Sequence, residues 1–313
     1  MRTILKVITL TLLFTALPGC NFSGSNGKSK NQVDKIIPAY NVKTLTYKTI
    51  GSKALQLDLY IPKQSKAEHT PLLIWVHGGA WFRGSKDEFI SKNGTLADKL
   101  VNEGYAIAAV NYRLSGEAIF PAQVADINDA INYLVNHASQ YNISTDKVGI
   151  MGRSAGGHLA SLIATSNNDT ETGFYEASRQ PEYDIAVVLD FFGPSDINAM
   201  RGNSGNVDHD APDAAEARLL GASPVERPDL AKWASSTTYI DTDTPPFIIM
   251  HGDADGVVPD SQSRILKTRL GESGVSNKLV VVQGAGHGDP VFDTEEYVDM
   301  AAEFIKSYLP VTQ

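Results

Sequence analysis

The sequence is poor in cysteine. Cys20 is the only one in 313 residues, so no intrachain disulfide can form and the fold must stand on its core. It also lacks a basic excess. Its 27 Lys and Arg face 36 Asp and Glu, a formal net charge of -9 that argues against a nucleic-acid partner. No histidine falls at ligand spacing from a second histidine or from the cysteine, and no glycine-rich phosphate loop occurs. Neither a metal nor a cofactor is therefore expected. Long apolar runs are scarce as well. The stretch that follows Arg2 and Lys6 and reaches Leu17 is too short for a convincing membrane span and suits a secretory signal.

That stretch ends in Leu17-Pro18-Gly19-Cys20, which resembles a bacterial lipoprotein signal, where cleavage leaves the cysteine as a lipidated N-terminus. Residues 1–19 are read as signal peptide and Cys20 as the lipidation site. Residues 20–40 are read as a flexible tether, since Asn, Ser, Gly and Lys dominate and cannot bury enough apolar surface to order themselves. An exported, envelope-anchored protein is expected, in contact with membrane only through that anchor. Residues 41–313 form the predicted folded domain. With 42% hydrophobic residues over the chain, it can build a sizeable core.

Residues 45–50 and 55–61 alternate apolar and polar side chains, the period of half-buried strands, and predict an antiparallel hairpin. The pattern then changes. Residues 72–76, 106–110, 148–151, 185–191, 247–250 and 279–282 are short and nearly all apolar, as strands covered on both faces must be. Helical stripes lie between some of them. In 123–139, Ile127, Ala130, Ile131, Leu134 and Val135 share a face, and 261–270 and 295–309 are further helices. The alternation predicts one α/β domain, a mostly parallel sheet with helices on both faces. Segments 166–184 and 198–243 fit it poorly and are candidate lids or pocket walls, or equally plain surface excursions.

Within that frame, Gly152-Arg-Ser-Ala-Gly156 stands between an apolar strand and an Ala/Leu-rich helix. Glycine-flanked Ser154 at a strand-to-helix turn is the pattern of a nucleophile elbow. A serine hydroxyl is a poor nucleophile and needs a neighbouring base, which in turn needs an orienting carboxylate. Downstream strands deliver both. His251-Gly-Asp-Ala-Asp255 follows one and Gly284-Ala-Gly-His287-Gly follows the next. Asp253 and Asp255 compete for the carboxylate role. Upstream, His77-Gly-Gly-Ala-Trp81 follows residues 72–76, where the amides of Gly79 and Ala80, with that of Ala155, can hold an oxyanion.

These pieces, together with Asn111-Tyr-Arg113, Phe120-Pro-Ala-Gln-Val-Ala-Asp126, Phe192-Gly-Pro-Ser-Asp196 and Pro245-Pro246, span about residues 42–309. In that order the chain resembles α/β-hydrolases of the carboxylesterase and lipase type. Within them it is similar to the group of bacterial feruloyl and acetylxylan esterases, close to hormone-sensitive-lipase-like enzymes. The resemblance implies an α/β-hydrolase fold and a serine esterase without cofactor. It implies Ser154 as nucleophile, His287 as base and the second carboxylate, Asp255, as acid. The substrate implied is an acetyl or feruloyl group on a polysaccharide or a small ester. Gly-Gly-Ala-Trp in place of Gly-Gly-Gly favours the esterase branch, with Trp81 shaping the pocket. His-Gly-Gly-x-Trp also occurs in kynurenine formamidases, so an arylformamidase is the other enzymatic reading, and a catalytically silent binding module is the non-enzymatic one.

The remaining polar residues have blander expectations. His77 braces the oxyanion loop, His158 packs inside the helix after the elbow, and His251 lies between strand and acid turn. His209 is expected to be exposed, and Arg153 to form a salt bridge. Asp126 is expected to complement a helix dipole or to tie loops together.

Overall fold

The computed structural model describes residues 39–312 apart from 65–66, 168–169 and 206. The signal segment, Cys20 and the tether up to residue 38 lie outside the described residues.

Eight strands form one sheet in the order β1-β2-β4-β3-β5-β6-β9-β10. They are β1 Tyr40–Ile50, β2 Lys53–Pro62, β3 Thr70–Val76, β4 Ala106–Val110, β5 Ile143–Arg153, β6 Asp184–Phe191, β9 Phe247–Gly252 and β10 Asn277–Val282. A separate two-residue hairpin pairs β7 Asn203–Ser204 with β8 Val207–Asp208. β1 and β2 run antiparallel, β2 meets β4 antiparallel, and the other neighbours are parallel. The hairpin and the six apolar runs therefore fall where sequence periodicity places them. β2 differs in its burial. Asp58 and Tyr60, which belong to its polar face, are buried along with Leu55, Leu57 and Leu59. Asp58 is neutralised by Lys86 at 2.8 Å, and the Tyr60 ring packs on Phe89. The half-exposed strand is β1, at the edge.

The helices are α1 Glu88–Lys92, α2 Gly94–Asn102, α3 Ala122–Asn136, α4 Ala138–Tyr141, α5 Ala155–Ser166, α6 Ala215–Leu220, α7 Pro228–Trp233, α8 Ser261–Glu272 and α9 Glu295–Tyr308. Alternation along β3 splits the core in two. Leu72, Ile74 and Val76 pack with residues of α3, α5 and α8 on one face. Leu73 and Trp75 pack with residues of α2 and α9 on the other. This is the α/β-hydrolase architecture with helices on both faces.

α3 buries more than its apolar stripe, because Gln123, Asp126, Asn128 and Asn132 are buried too. Asp126 receives the Arg113 guanidinium at 2.6 and 2.9 Å and Lys48 at 2.8 Å, which ties β1 to the loop after β4. Asn128 and Asn132 donate to the carbonyls of Arg179 and Gln180, pinning segment 166–184 to this helix. Segment 198–243 carries β7, β8, α6 and α7.

Candidate active site

β5 ends at Arg153 and α5 begins at Ala155, leaving Ser154 at φ 54 and ψ -123. A non-glycine residue at positive φ is strained, and the surroundings must over-determine it. Here the Ser154 N–H donates to the carbonyl of Phe191 at 2.9 Å, and its own carbonyl accepts from the N–H of His158 at 3.0 Å. The flanking glycines leave room for the turn. A Cβ on Gly152 would stand 2.3 Å from the carbonyl oxygen of Gly156, and one on Gly156 would stand 2.1 Å from that of Val76. The turn lifts Ser154 to the carboxyl end of the sheet, at the first turn of α5, where free amides favour negative charge.

Two loops at the far side of the sheet meet it. His287, beyond β10, places Nε2 2.8 Å from Ser154 Oγ and Nδ1 2.7 Å from Asp255 Oδ2. Asp255 lies beyond β9, and its side chain is wholly buried. Burial disfavours its charge, yet hydrogen bonds from His251 and His287 and the main-chain amide of Val257 hold its carboxyl well below the ordinary carboxylate range. An ionised carboxylate only accepts, so Nδ1 of His287 carries the proton and Nε2 accepts the Ser154 hydroxyl.

Asp255 Oδ1 accepts the amides of Val257 and Val258 at 2.8 and 2.9 Å. His251 Nε2 donates to the carbonyl of Val258 at 3.0 Å and lies 3.2 Å from Asp255 Oδ2. His251 thus braces the acid, a role that sequence reading missed although its spacing of four from Asp255 was visible. The competing carboxylate, Asp253, turns elsewhere: it is exposed and accepts the amide of Gly284 at 2.6 Å, tying the two loops together.

The loop after β3 crosses the elbow, since a Cβ on Gly78 would stand 2.7 Å from the Arg153 carbonyl oxygen. Gly79, Ala80 and Trp81 all have positive φ, at 110, 51 and 61. Gly79 accepts from the amides of Phe82 and Arg83. Among the described residues, the amides of Gly79 and Ala80 donate to no main-chain carbonyl. His77 braces this loop by stacking on Tyr112 at 4.2 Å, while Tyr112 Oη donates to the His77 carbonyl. Burial lowers the His77 pKa to about 4.

A cleft of about 710 Å³ opens over these groups, lined by Gly79, Ala80, Ser154, Phe192 and His287 among others. Several expectations fail around it. Trp81 does not line this cleft; its ring is buried and its Nε1 donates to Nδ1 of His158 at 3.1 Å. His158 in turn donates from Nε2 to the carbonyl of Ala234, and burial lowers its pKa to about 4. Among the described residues, neither segment 166–184 nor 198–243 lines this cleft; α1 and residues Pro290–Asp293 form its walls. His209 is buried against Glu216, with Nε2 donating to the carbonyl of Val257 at 3.1 Å, so segment 198–243 props the acid turn from behind. Burial opposes the charge of His209, but the hydrogen bond and negative charge of Glu216 raise its pKa. Among the described residues Arg153 makes no salt bridge, and the carboxylate of Asp293 is taken up by the amides of Thr95 and Leu96. No group of three or more acidic, His or Cys side chains placed to hold a metal occurs among the described residues.

The BD-FAE family profile matches residues 57–270. The chain is 29% identical to esterase LipQ of Mycobacterium tuberculosis over 268 residues, 83% of this chain and 60% of that protein. It is 32% identical to the probable carboxylic ester hydrolase LipM of the same organism over 201 residues, 62% and 43% of the two chains. It therefore spans about half the length of these curated relatives. Among solved structures, a truncated carbohydrate esterase from gut microbiota superposes with a TM-score of 0.74 at 33% identity, covering 87% of this chain and 97% of that one. A bifunctional GH43-CE protein of Bacteroides eggerthii superposes with a TM-score of 0.75 at 29% identity, covering 88% and 39%.

Proposed function

The chain belongs to the BD-FAE family, and from that premise we propose that it is a carboxylic ester hydrolase whose nucleophile, base and acid are Ser154, His287 and Asp255. The observation that carries this reading is the unbroken hydrogen-bond chain from Ser154 Oγ through His287 to Asp255, at 2.8 and 2.7 Å. His287 Nε2 takes the serine proton as Oγ attacks the ester carbonyl. Asp255 holds the imidazole in the required tautomer and stabilises the imidazolium. In this reading the amides of Gly79, Ala80 and Ala155 hold the tetrahedral oxyanion, each donor contributing roughly 3 to 4 kcal/mol of barrier lowering. The imidazolium then returns its proton to the departing alcohol, leaving an acyl group on Ser154. A water activated by the same imidazole releases the acid.

The substrate we propose is an acyl group, acetyl or feruloyl, on a polysaccharide or small ester. The similarity to two carbohydrate esterases supports it. Export and lipidation at Cys20 belong to the same proposal, and a Cys20→Ser protein that still fractionates with membranes would contradict them. Ser154→Ala is expected to abolish p-nitrophenyl acetate hydrolysis and fluorophosphonate labelling, with an almost unchanged melting temperature. A variant that kept full activity would overturn the assignment.

A further inference from the structure

We propose that the cleft contains a recognition site for a carboxylate carried by the ester, built from the guanidinium of Arg153 and the indole N–H of Trp75. This rests on the ester-hydrolase reading above. Arg153 Nε, Arg153 Nη2 and Trp75 Nε1 are buried and have no hydrogen-bond partner among the described residues. All three are donors that cannot accept, so only an acceptor can satisfy them. The two residues are 7% and 2% exposed, and both line the cleft that holds Ser154 and His287. They also share a face of the sheet: Trp75 pairs with Met151 in β5, and Arg153 follows Met151 by two.

Ring contacts place the charged head group itself, beyond the backbone of the elbow. Arg153 Cζ lies 4.9 Å from the Phe191 ring centroid and 5.9 Å from that of Phe192. Phe192 lines the cleft, and its ring lies 4.8 Å from the imidazole of His287. One ring, that of Phe192, thus lies between the guanidinium and the imidazole of His287.

The charge around it is unbalanced. Arg83, Lys92 and Arg153 line the cleft against Glu88 and Asp293. Glu88 is already paired with Lys92, and both oxygens of Asp293 accept amides at the start of α2, at 3.0 Å each. Among the described residues, Arg83 and Arg153 are left without a carboxylate in a protein of net charge -9. Burial brings the Arg153 guanidinium down to about 10 against the opposing pull of Asp293, so it stays cationic at neutral pH.

A buried cation without a counter-charge is costly, and a neutral acyl chain would leave all three donors unsatisfied. A carboxylate matches the planar guanidinium fork, with the indole as a further donor. Two esters of the right class carry it on opposite sides of the scissile bond: monomethyl adipate on the acyl side and 4-acetoxybenzoate on the alcohol side.

The test compares each acid with its neutral partner, dimethyl adipate and methyl 4-acetoxybenzoate, by kcat/KM at low salt. The acid of at least one pair is expected to exceed its partner by about 10-fold, the usual discrimination from one charge-assisted hydrogen bond. Arg153→Met should bring that ratio to near one, and Trp75→Phe should lower it part of the way. Neutral preference in both pairs, or equal losses on acid and neutral esters in Arg153→Met, would overturn the proposal; equal losses would make Arg153 an aid to the oxyanion alone. If Arg153→Met does not fold, Arg153→Lys and Trp75→Phe decide by the same ratio. If the native protein cleaves none of these esters nor p-nitrophenyl acetate, the ester-hydrolase reading fails. Stabilisation of the Ser154→Ala protein against heat by adipate, absent after Arg153→Lys, would then still support the carboxylate site, and no stabilisation would sink it.

Discussion

The two sides of the site are held in different ways. On the nucleophile side, the loop after β3 and the elbow after β5 lie at the centre of the sheet, where Ala80, Trp81 and Ser154 keep positive φ and backbone presses on backbone. On the acid-base side, Asp255 and His287 sit on loops beyond β9 and β10 near the sheet edge; Gly252 presses on the Ala285 carbonyl there too, but no residue but glycine takes positive φ among the described residues of these two loops, and side-chain hydrogen bonds complete the join. Strain needs rigid surroundings, and the sheet centre supplies them. An imidazole that shuttles protons needs only a fixed partner, and a loop suffices when its carboxylate is saturated with donors.

Two buried carboxylates sharpen the contrast. Asp255 meets donors from His251, His287, Val257 and Val258 and is pulled far down. Asp190, at the end of β6 behind the elbow, has the amide of Gly193 and the hydroxyl of Ser161. Burial wins there and pushes its carboxyl up to about 6. The number and charge of the donors decide the direction.

The largest test of this contrast separates the two carboxylates of the acid turn. Asp255→Asn is expected to lower kcat on p-nitrophenyl acetate by roughly 10³ to 10⁴-fold through loss of the correct imidazole tautomer. Asp253→Asn, which touches only a loop amide, should cost under about 10-fold. Equal losses would break the assignment of the acid.

A stability comparison comes next. Gly156→Ala forces a Cβ against the Val76 carbonyl oxygen and should cost about 3 kcal/mol in urea unfolding. Gly284→Ala, at φ 72 with nothing within 4 Å, should cost about 1 kcal/mol from backbone strain alone. Similar costs would mean that backbone crowding at Gly156 costs no more than a left-handed φ at Gly284.

The smallest effect is the pH dependence tied to Asp190. Its folded pKa lies above the unfolded one, so its contribution to stability is fully present below the unfolded pKa of about 4 and is lost as pH rises through about 6. Relative to Asp190→Asn, the native protein should lose on the order of 2 kcal/mol between pH 4 and pH 7.5. A difference that stayed constant with pH, or grew in favour of the native protein, would refute the assignment.

Period-two and all-apolar runs marked every strand of the main sheet, because side-chain alternation is local. The turn at Ser154, the turn that carries Asp255, the loop of His287 and the glycine loop after β3 were legible for a similar reason: glycine and carboxylate spacing records turn geometry. Burial of polar side chains was not legible. Asp58, Asn128, Asn132 and His209 look solvent-bound in sequence, yet each has a partner supplied by a distant segment, for His209 the carbonyl of Val257. The same limit misled the reading of Trp81, whose indole found His158 in α5 and left the cleft to others.

The sequence by itself determined the order and type of the elements and the kinds of residue that meet at the carboxyl ends of the strands, because both depend on local period and turn chemistry. Only the tertiary structure decided which carboxylate faces the imidazole, which histidine braces it, and that the arginine beside the serine is buried with no carboxylate partner among the described residues. Those outcomes depend on contacts between segments far apart in the chain, where geometry alone allots each donor its acceptor.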